Sequence, residues 1–177
     1  MTDRIAFQGA LGAYSHEACI AYRPDMEPFP CQTFGDVLRA VRDNDAELAM
    51  LPVENSSYGR VADSHRLLPE SGLHIVDECF IRVKISLMAN SGAKLESIKS
   101  VRAHLVLLPQ AQQFLDKHNI RADTAADSAG AAAKLAISKK LDEGVLASKL
   151  AAETYGLDIL AQDIEDYVHN TTRFLVM

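Results

Sequence analysis

Small polar side chains stand immediately before the last apolar residues of the chain. Asn170, Thr171, Thr172 and Arg173 lead directly into the run Phe174–Met177. Chain termini are usually frayed and polar, so an apolar end predicts a strand inside a sheet. Hydrogen-bond donors held on a rigid strand suit a binding or catalytic site. Because side chains alternate along a strand, Thr171 is expected to point away from Thr172.

A second polar group follows a short apolar strand that is predicted over 48–51. The loop after Pro52 carries Glu54, Asn55 and Ser56, followed by a further serine and a tyrosine. One helix cap needs only one such residue, and a plain N-cap is the alternative interpretation. The number of polar side chains favours a functional loop, since binding residues concentrate on loops held by a rigid scaffold.

Three further hydroxyls stand at predicted helix starts. Ser15 follows a turn that contains Gly9 and Gly12, Ser128 opens an Ala-rich helix, and Ser148 precedes Lys149. Each has a plainer explanation as a tight turn or an N-cap. Together they indicate an affinity for carboxylates, because the free N–H groups and the dipole of a helix start attract anions.

Composition excludes several other classes of protein. The net charge is -6 and the longest basic cluster is Lys139-Lys140, so no nucleic-acid partner is predicted. The first residues lack the features of a signal peptide, and no apolar run approaches the ~20 residues of a membrane helix. We therefore expect no membrane association and a cytoplasmic protein.

Cysteine and histidine usage points the same way. The three cysteines, Cys19, Cys31 and Cys79, are odd in number and far apart, which predicts buried apolar side chains in a reduced compartment. The six histidines show no metal-ligand spacing, so no metal site is expected. Three acidic residues close to the end of the chain, Asp163, Glu165 and Asp166, are interpreted as a solvated patch.

Alternating strands and helices predict an α/β fold with largely parallel sheets. Predicted strands are 4–7, 29–31, 48–51, 100–103, 121–124 and 145–147. Predicted helices are 15–22, one capped by Thr33 and Asp36, 61–68, one that ends near His118, 129–137 and 149–155. A long extended stretch from Leu73 to Ala89 and the return at the end predict two lobes joined by two crossings. The first would contain about 1–76 and 164–177, and the second about 77–163.

Taken together, the polar segments resemble the catalytic domain of prephenate dehydratases. The segments that carry the resemblance are, in chain order, GALGAYS, LPVENSSYGRVADS, DSAGAAA, LASKLAAETYGL and HNTTRF. They cover essentially the whole chain. The resemblance implies two lobes of the type II periplasmic-binding-protein kind with an active-site cleft between them. It also implies conversion of prephenate to phenylpyruvate, with loss of water and carbon dioxide, in phenylalanine biosynthesis.

The resemblance also assigns residues. Thr172 matches the catalytic threonine of the family, and Arg173 and Phe174 complete its motif. The expected substrate-binding residues are Ser15, Glu54, Asn55, Ser56, Gln110, Ser128, Ser148, Arg173 and Phe174. Arg173 has two open roles, a carboxylate clamp or an ion pair between the lobes. No cofactor is expected.

The register of Gln110 rests on Phe114 and Leu115, which stand four and five positions beyond it, as in the family segment SHPQALAQC. In this register Ala103, Leu105 and Val106 replace the usual serine, proline and glutamine, whereas His104 is retained. Pro109 is expected in the first turn of the following helix. The missing serine hydroxyl is expected to cost about 1.5–3 kcal/mol of binding, which weakens turnover without abolishing it.

Two alternatives remain beside prephenate dehydratase. An arogenate dehydratase would share every motif, and a non-catalytic module that binds small carboxylates would keep the helix-start hydroxyls without needing Thr172. Family members usually carry a carboxy-terminal regulatory domain that binds phenylalanine, and this sequence stops before it, so feedback inhibition is not predicted. The expected partner is the small-molecule substrate, and the expected assembly is a homo-oligomer, a dimer or a tetramer.

Overall fold

The computed structural model describes residues 3–177 and divides into two compact units. The first comprises the residues up to Ala10 together with Tyr14–Val83 and His169–Met177. The second comprises Leu11–Ala13 and Lys84–Val168. Each unit is built on one sheet, and both sheets contain parallel and antiparallel pairs. The α/β prediction is confirmed, but the sheets are mixed rather than largely parallel.

Within the described residues, the first unit contains six strands and three α-helices. Its strands are β1 (Arg4–Gln8), β2 (Glu27–Cys31), β3 (Leu48–Asn55), β4 (Gly59–Arg60), β5 (Asp77–Arg82) and, at the end of the chain, β11 (Thr171–Val176). Its helices are α1 (Tyr14–Tyr22), α2 (Phe34–Arg42) and α3 (Ala62–Leu67), the last followed by a 3-10 turn at Leu68–Glu70. The predicted capping box of Thr33 and Asp36 is present at the start of α2.

The terminal strand lies inside the first sheet. The strand order is β2-β1-β3-β11-β5, with β4 added to the end of β3. Strand β11 runs antiparallel to both of its neighbours, whereas β1 is parallel to β2 and β3. The prediction that the apolar end of the chain enters a sheet is therefore confirmed. Because β5 pairs with β11, the first unit extends to Val83 rather than to about residue 76.

Two apolar clusters cover the two faces of this sheet. Leu175 and Met177 pack with residues of α2 and β3, whereas Phe174 and Val176 pack with Ala18 and Cys19 of α1. This alternation follows from the two-residue period of a strand. It separates neighbouring residues of β11 onto opposite faces.

Pro52 lies inside β3, although a proline was expected to end that strand. Ala49 exchanges both backbone hydrogen bonds with Met177, which directs the backbone N–H groups of Ala49 and Leu51 towards β11. The missing N–H of Pro52 therefore faces the side of β1, and β1 pairs with β3 only as far as Met50. A proline is tolerated there because no ladder hydrogen bond is lost.

The second unit contains the remaining strands and helices. Its strands are β6 (Ser86–Ala89), β7 (Ser100–His104), β8 (Arg121–Ala125), β9 (Glu143–Ala147) and β10 (Asp158–Ala161), in the order β10-β6-β9-β7-β8. Its helices are α4 (Gln112–His118), α5 (Ser128–Ser138) and α6 (Lys149–Tyr155). The small side chains of α5 and α6 pack against Met88 and Val145 in one cluster. Pro109 lies at the start of a 3-10 turn, Leu108–Ala111, that leads into α4.

The glycine turn after β1, Leu11–Ala13, belongs to the second unit. The chain therefore enters the second unit twice, at this turn and again at Lys84, whereas a single entry and return was predicted. Tyr155 and Ser148 donate hydrogen bonds to the carbonyls of Leu11 and Gly12, at 2.8 and 2.6 Å. A Cβ added at Gly12 would lie 2.6 Å from the Cα of Ala151. The turn is thus held against α6 by backbone contacts that require a glycine.

Gly12→Ala is expected to lower the free energy of unfolding by about 3 kcal/mol or more. Its φ of +87° disfavours a side chain, and the new methyl would collide with the backbone of α6. Gly92→Ala is the matched control, since Gly92 has a φ of +90° with nothing within 4 Å and should cost only about 1–2 kcal/mol. Urea unfolding of both variants measures the difference. Equal losses would contradict the close packing of Gly12 against α6.

Candidate active site

A cluster of hydroxyl and amide groups lies at the start of β11 in the first unit. Asn55 Nδ2 donates to Asn170 Oδ1 at 2.7 Å and to Thr172 Oγ1 at 2.9 Å. Asn55 Oδ1 accepts the backbone N–H groups of Ser57 and Tyr58, both at 2.9 Å. All four hydrogen-bonding positions of this amide are occupied, so its orientation is fixed.

The environment of Thr172 suits a hydrogen-bond donor. Thr172 is 9% exposed and Asn170 is 1% exposed, so both are held in the body of the unit. The Thr172 oxygen accepts from Asn55, and a hydroxyl that accepts in this way still has its own proton to donate. The fixed amide thus orients a hydroxyl that can donate a hydrogen bond to a bound molecule.

A β-bulge makes the contact between Asn55 and Thr172 possible. Arg173 pairs with Glu54 and Phe174 pairs with Pro52, which leaves Val53 as an extra residue in β3. An extra residue re-aims the side chains that follow it. Without it, strict alternation would place Asn55 on the face of Val53, opposite Thr172. The contact therefore depends on a local irregularity of β3.

Ser56 ties the loop after β3 to the segment before β11. Its hydroxyl donates to the carbonyl of His169 and accepts the N–H of Thr171, both at 2.9 Å. The backbone N–H of Ser56 also donates to the carbonyl of Thr171 at 2.9 Å. The hydroxyl already uses its proton, so the structure shows Ser56 as a tie between two segments. Its predicted contact with substrate stays a prediction.

Arg173 lies on the other face of the sheet from Thr172. Its guanidinium contacts the Glu78 carboxylate on the adjacent strand, with Nε–Oε2 at 2.8 Å and Nη2–Oε2 at 2.6 Å. Both partners belong to the first unit, so this ion pair does not join the two units. The side chains of Arg173 and Glu78 are 43% and 48% exposed. A cross-strand tie is therefore the role that the structure shows for Arg173.

Arg173→Gln is expected to change KM for the substrate by less than threefold and the unfolding free energy by less than about 1 kcal/mol. Exposed ion pairs contribute little, and the guanidinium occupies the face opposite Thr172. Glu78→Gln, which breaks the same pair from the other side, is the control and should behave alike. Steady-state kinetics and thermal unfolding measure both variants. A KM increase of tenfold or more in Arg173→Gln alone would support the alternative role of Arg173, in which it binds a substrate carboxylate.

Three other sequence-predicted residues of the first unit are dispersed. Phe174 is buried in the core beside α1, which makes it a packing residue. Glu54 is exposed and stands opposite Arg173 and Arg60 in the strand register. Ser15 is buried in the first turn of α1. Next to it, the His16 ring stacks on Phe7 with centroids 5.4 Å apart, and burial lowers the pKa of that histidine.

The predicted residues of the second unit have defined contacts of their own. Gln110 is buried and its Nε2 donates to the carbonyl of Val106 at 2.7 Å. Ser128 Oγ accepts the backbone N–H of His104 at 3.0 Å, which links the start of α5 to the end of β7. Gln110, in the 3-10 turn before α4, and Ser128, at the start of α5, follow the carboxyl ends of the neighbouring strands β7 and β8, where α/β proteins place ligands.

Ser148 is not exposed to a ligand in this structure. It is 2% exposed, its hydroxyl donates to the carbonyl of Gly12 at 2.6 Å, and it accepts the N–H of Ala151 at 3.1 Å. Both functions of the hydroxyl serve the packing of the glycine turn and the cap of α6. The N-cap interpretation of this serine is confirmed, and its predicted contact with substrate stays a prediction.

The three positions at which this sequence replaces the usual family residues differ in exposure and in contacts. Ala103 is fully buried in β7, whereas Leu105 is 53% exposed. The N–H of Val106 donates to His104 Nδ1 at 3.3 Å, which places the proton of a neutral ring on Nε2. His104 was not among the predicted site residues, although the resemblance retains it. Its place between Val106 and Ser128 could not be inferred without the fold.

Two of the three cysteines, Cys19 and Cys79, are buried as predicted, whereas Cys31 is only half-buried. Burial raises the pKa of Cys19 to about 12 and that of Cys79 to about 11. Neither thiol is therefore ionised near neutral pH. Within residues 3–177, no group of three or more His, Cys, Asp or Glu side chains is placed to hold a metal ion. In the same part of the chain, no helix is long and apolar enough to cross a membrane.

The sheets and helices described above define a two-unit α/β protein. A model of the prephenate dehydratase family matches residues 5–177, and the chain belongs to that family. The bifunctional N-acyl-homoserine lactone acylase/prephenate dehydratase of Komagataeibacter europaeus is 44% identical over 97% of this chain and 61% of its own length. Arogenate dehydratase 2 of Petunia hybrida is 40% identical over 98% of this chain and 44% of its own length.

A solved structure shows the same fold. The prephenate dehydratase from Arthrobacter aurescens, in complex with L-Phe, superimposes with a TM-score of 0.90 at 27% identity. The match covers 98% of this chain and 59% of that one. The chain therefore spans less than two thirds of the length of these relatives.

Proposed function

We propose that this protein converts prephenate to phenylpyruvate. The observation that carries the proposal is the Thr172 hydroxyl, which Asn55 holds in place on an internal strand of the first sheet. The chain also belongs to the prephenate dehydratase family. In the reaction the ring C–O bond breaks with its electron pair, and hydroxide leaves. The bond from the ring to its carboxylate breaks as well, carbon dioxide departs, and that electron pair completes the aromatic ring. Hydroxide then takes a proton from solvent and becomes water.

Thr172 stabilises the leaving oxygen in this proposal. A threonine hydroxyl is too weak an acid to supply a free proton, but its hydrogen bond strengthens as negative charge develops on the departing oxygen. Asn55 keeps the hydroxyl in one orientation, so little reorganisation is needed during the reaction. Since aromatisation supplies the driving force, the proposed chemistry calls for no metal or cofactor.

The remaining predicted contacts enter the proposal through the resemblance. Gln110 and Ser128 present polar groups in the second unit, and both are proposed to bind the substrate. Ser15 is proposed to do so at the start of α1. A cytoplasmic location, a homo-oligomeric assembly and the absence of nucleic-acid partners remain predictions as well.

The test is turnover of prephenate by the purified protein. Phenylpyruvate formation is followed with wild type and Thr172→Ala, beside a buffer control for spontaneous aromatisation. Turnover by the wild type well above the buffer rate is expected. Its absence would contradict prephenate as the substrate. Absence of turnover with both prephenate and arogenate would favour a module that only binds small carboxylates, which equilibrium binding of prephenate would then reveal.

A second candidate substrate is arogenate, the amino analogue of prephenate. The observation that favours it is the 40% identity with an arogenate dehydratase over nearly the whole chain. Both substrates lose the same groups from the same ring, so the Thr172 chemistry applies equally to each. The ratio of kcat/KM for the two compounds, measured with one preparation, separates the candidates. The bifunctional relative makes an N-acyl-homoserine lactone a useful third compound in that assay.

A further inference from the structure

The acidic segment before β11 is only in part the solvated patch that was predicted: Asp163 is exposed, but each of the three carboxylates has a specific partner within the second unit. Asp163 forms an ion pair with Lys84 at 3.2 Å. Glu165 Oε2 accepts the backbone N–H of Ile85 at 2.9 Å. The backbone of Ile164 adds a hydrogen bond to the carbonyl of Ile85 at 3.1 Å. The segment is thus attached to residues 84–85 at several points.

The third carboxylate, Asp166, lies at the start of α4. Both of its oxygens lie 3.3 Å from the backbone N–H of Gln113, which donates to them. The N-cap residue of this helix is Ala111, which has no side-chain acceptor. A helix start needs acceptors for its free N–H groups. Asp166 therefore supplies from a distant part of the sequence the acceptor that the local sequence lacks.

Asp166 also holds the residue before that helix start. Its backbone N–H donates to the carbonyl of Gln110 at 2.6 Å. The side chain and the backbone of Asp166 thus contact two points of the same turn, three residues apart. Gln110 in turn is buried and donates from Nε2 to the carbonyl of Val106.

We propose that Asp166 is a positioning residue for Gln110, and this inference rests on the proposed dehydratase function. The carboxylate fixes the start of α4, which keeps the turn of Gln110 in the conformation that binds substrate. A purely structural role would change the stability of the protein without acting on substrate through Gln110. The two roles predict different kinetics.

Asp166→Ala removes the acceptor but keeps the backbone N–H, and is expected to raise KM for prephenate about threefold to tenfold. Asp166→Asn retains an oxygen for Gln113 and should stay within about twofold of wild type. Asp163→Asn is the matched control, because asparagine tolerates the left-handed φ of 51° at that position and the contact with α4 is untouched. Its KM should not change.

The decisive arm is a double-mutant cycle with Gln110→Ala. If Asp166 acts through Gln110, adding Asp166→Ala to Gln110→Ala changes KM less than twofold. Hydrogen exchange of residues 110–113 should accelerate in Asp166→Ala but not in Asp163→Asn, and this measurement needs no substrate. If Asp166→Ala does not fold, Asp166→Glu displaces the carboxylate by one methylene and replaces it in the cycle.

The outcomes are distinct. An unchanged KM in Asp166→Ala with an active wild type overturns the inference alone. The same KM increase in the presence and absence of Gln110→Ala also overturns it. Absence of turnover in the wild type overturns the proposed function, and the inference with it.

Discussion

Thr172→Ala is expected to lower kcat for prephenate by about a hundredfold to a thousandfold. This is the usual effect of removing one preorganised donor to a developing oxyanion. The Thr172 hydroxyl is nearly buried and fixed by Asn55, so the site contains a preorganised donor of this kind. The unfolding free energy should fall by only about 1 kcal/mol, because one neutral hydrogen bond is lost. KM should change little, since the interaction grows as the C–O bond breaks.

Two variants control this experiment. Thr172→Ser keeps the hydroxyl and should retain most of kcat. Thr171→Ala removes the neighbouring hydroxyl, which belongs to the opposite face of β11 in the register with Arg82. It should leave kcat within about twofold. Equal turnover in wild type and Thr172→Ala would remove Thr172 from the mechanism, even if the protein proves to be a dehydratase.

The existence of the terminal strand could be predicted from the sequence, but its place in the sheet could not. An apolar end preceded by hydroxyls predicts a strand in a sheet, and β11 is one. That it separates β3 from β5 could not be predicted, because the pairing joins residues more than a hundred positions apart. The same non-local pairing shifts the boundary of the first unit to Val83. Strand periodicity is local information, whereas strand order is not.

The roles of serine hydroxyls at helix starts could not be predicted from the sequence either. Ser128 and Ser148 have the same local sequence signal, a serine before an Ala-rich helix. The structure buries Ser148 under the glycine turn, whereas Ser128 is half-buried and accepts from His104. A serine can cap a helix, tie two loops or meet a ligand with the same group. Only the tertiary partners decide between these roles.

Irregular features of the structure could not be predicted from the hydrophobic and polar patterns of the sequence. The extra residue Val53 cannot be recognised from hydrophobic alternation, yet it places Asn55 beside Thr172. Asp166 sits in a polar run that is typical of solvated loops, and its role depends on a helix start 53 residues earlier. Both features consist of single contacts between distant segments. Such contacts leave no periodic signal in the sequence.

Asn55 is the second residue at which a large effect is expected, and two substitutions separate its roles. Asn55→Ala removes four hydrogen bonds, including the one that Asn55 donates to buried Asn170. The expected loss is about 2–4 kcal/mol of unfolding free energy, because buried polar groups that lose their partner are costly. The value of kcat should fall about as far as in Thr172→Ala, since the hydroxyl is no longer oriented.

Asn55→Asp keeps the shape and still accepts from the N–H groups of Ser57 and Tyr58. Its carboxylate would also accept a hydrogen bond from the Thr172 hydroxyl. That hydrogen bond would then no longer be available to the leaving oxygen. A negative charge beside a departing hydroxide adds to that loss. We therefore expect kcat to fall at least a hundredfold, with a smaller loss of stability than in Asn55→Ala. Urea unfolding and steady-state kinetics on the same preparations measure both effects.

Asn90 offers the matched control for these variants. It is a buried asparagine of the second unit that donates to the carbonyls of Leu135 and Lys140, at 3.0 and 2.9 Å. Asn90→Ala should destabilise the protein by a similar amount and leave kcat within about twofold, because none of its partners is a predicted site residue. A wild-type kcat in Asn55→Asp would contradict the orientation role of Asn55. A comparable loss of kcat in Asn90→Ala would mean that general destabilisation, rather than the amide beside Thr172, explains the effect.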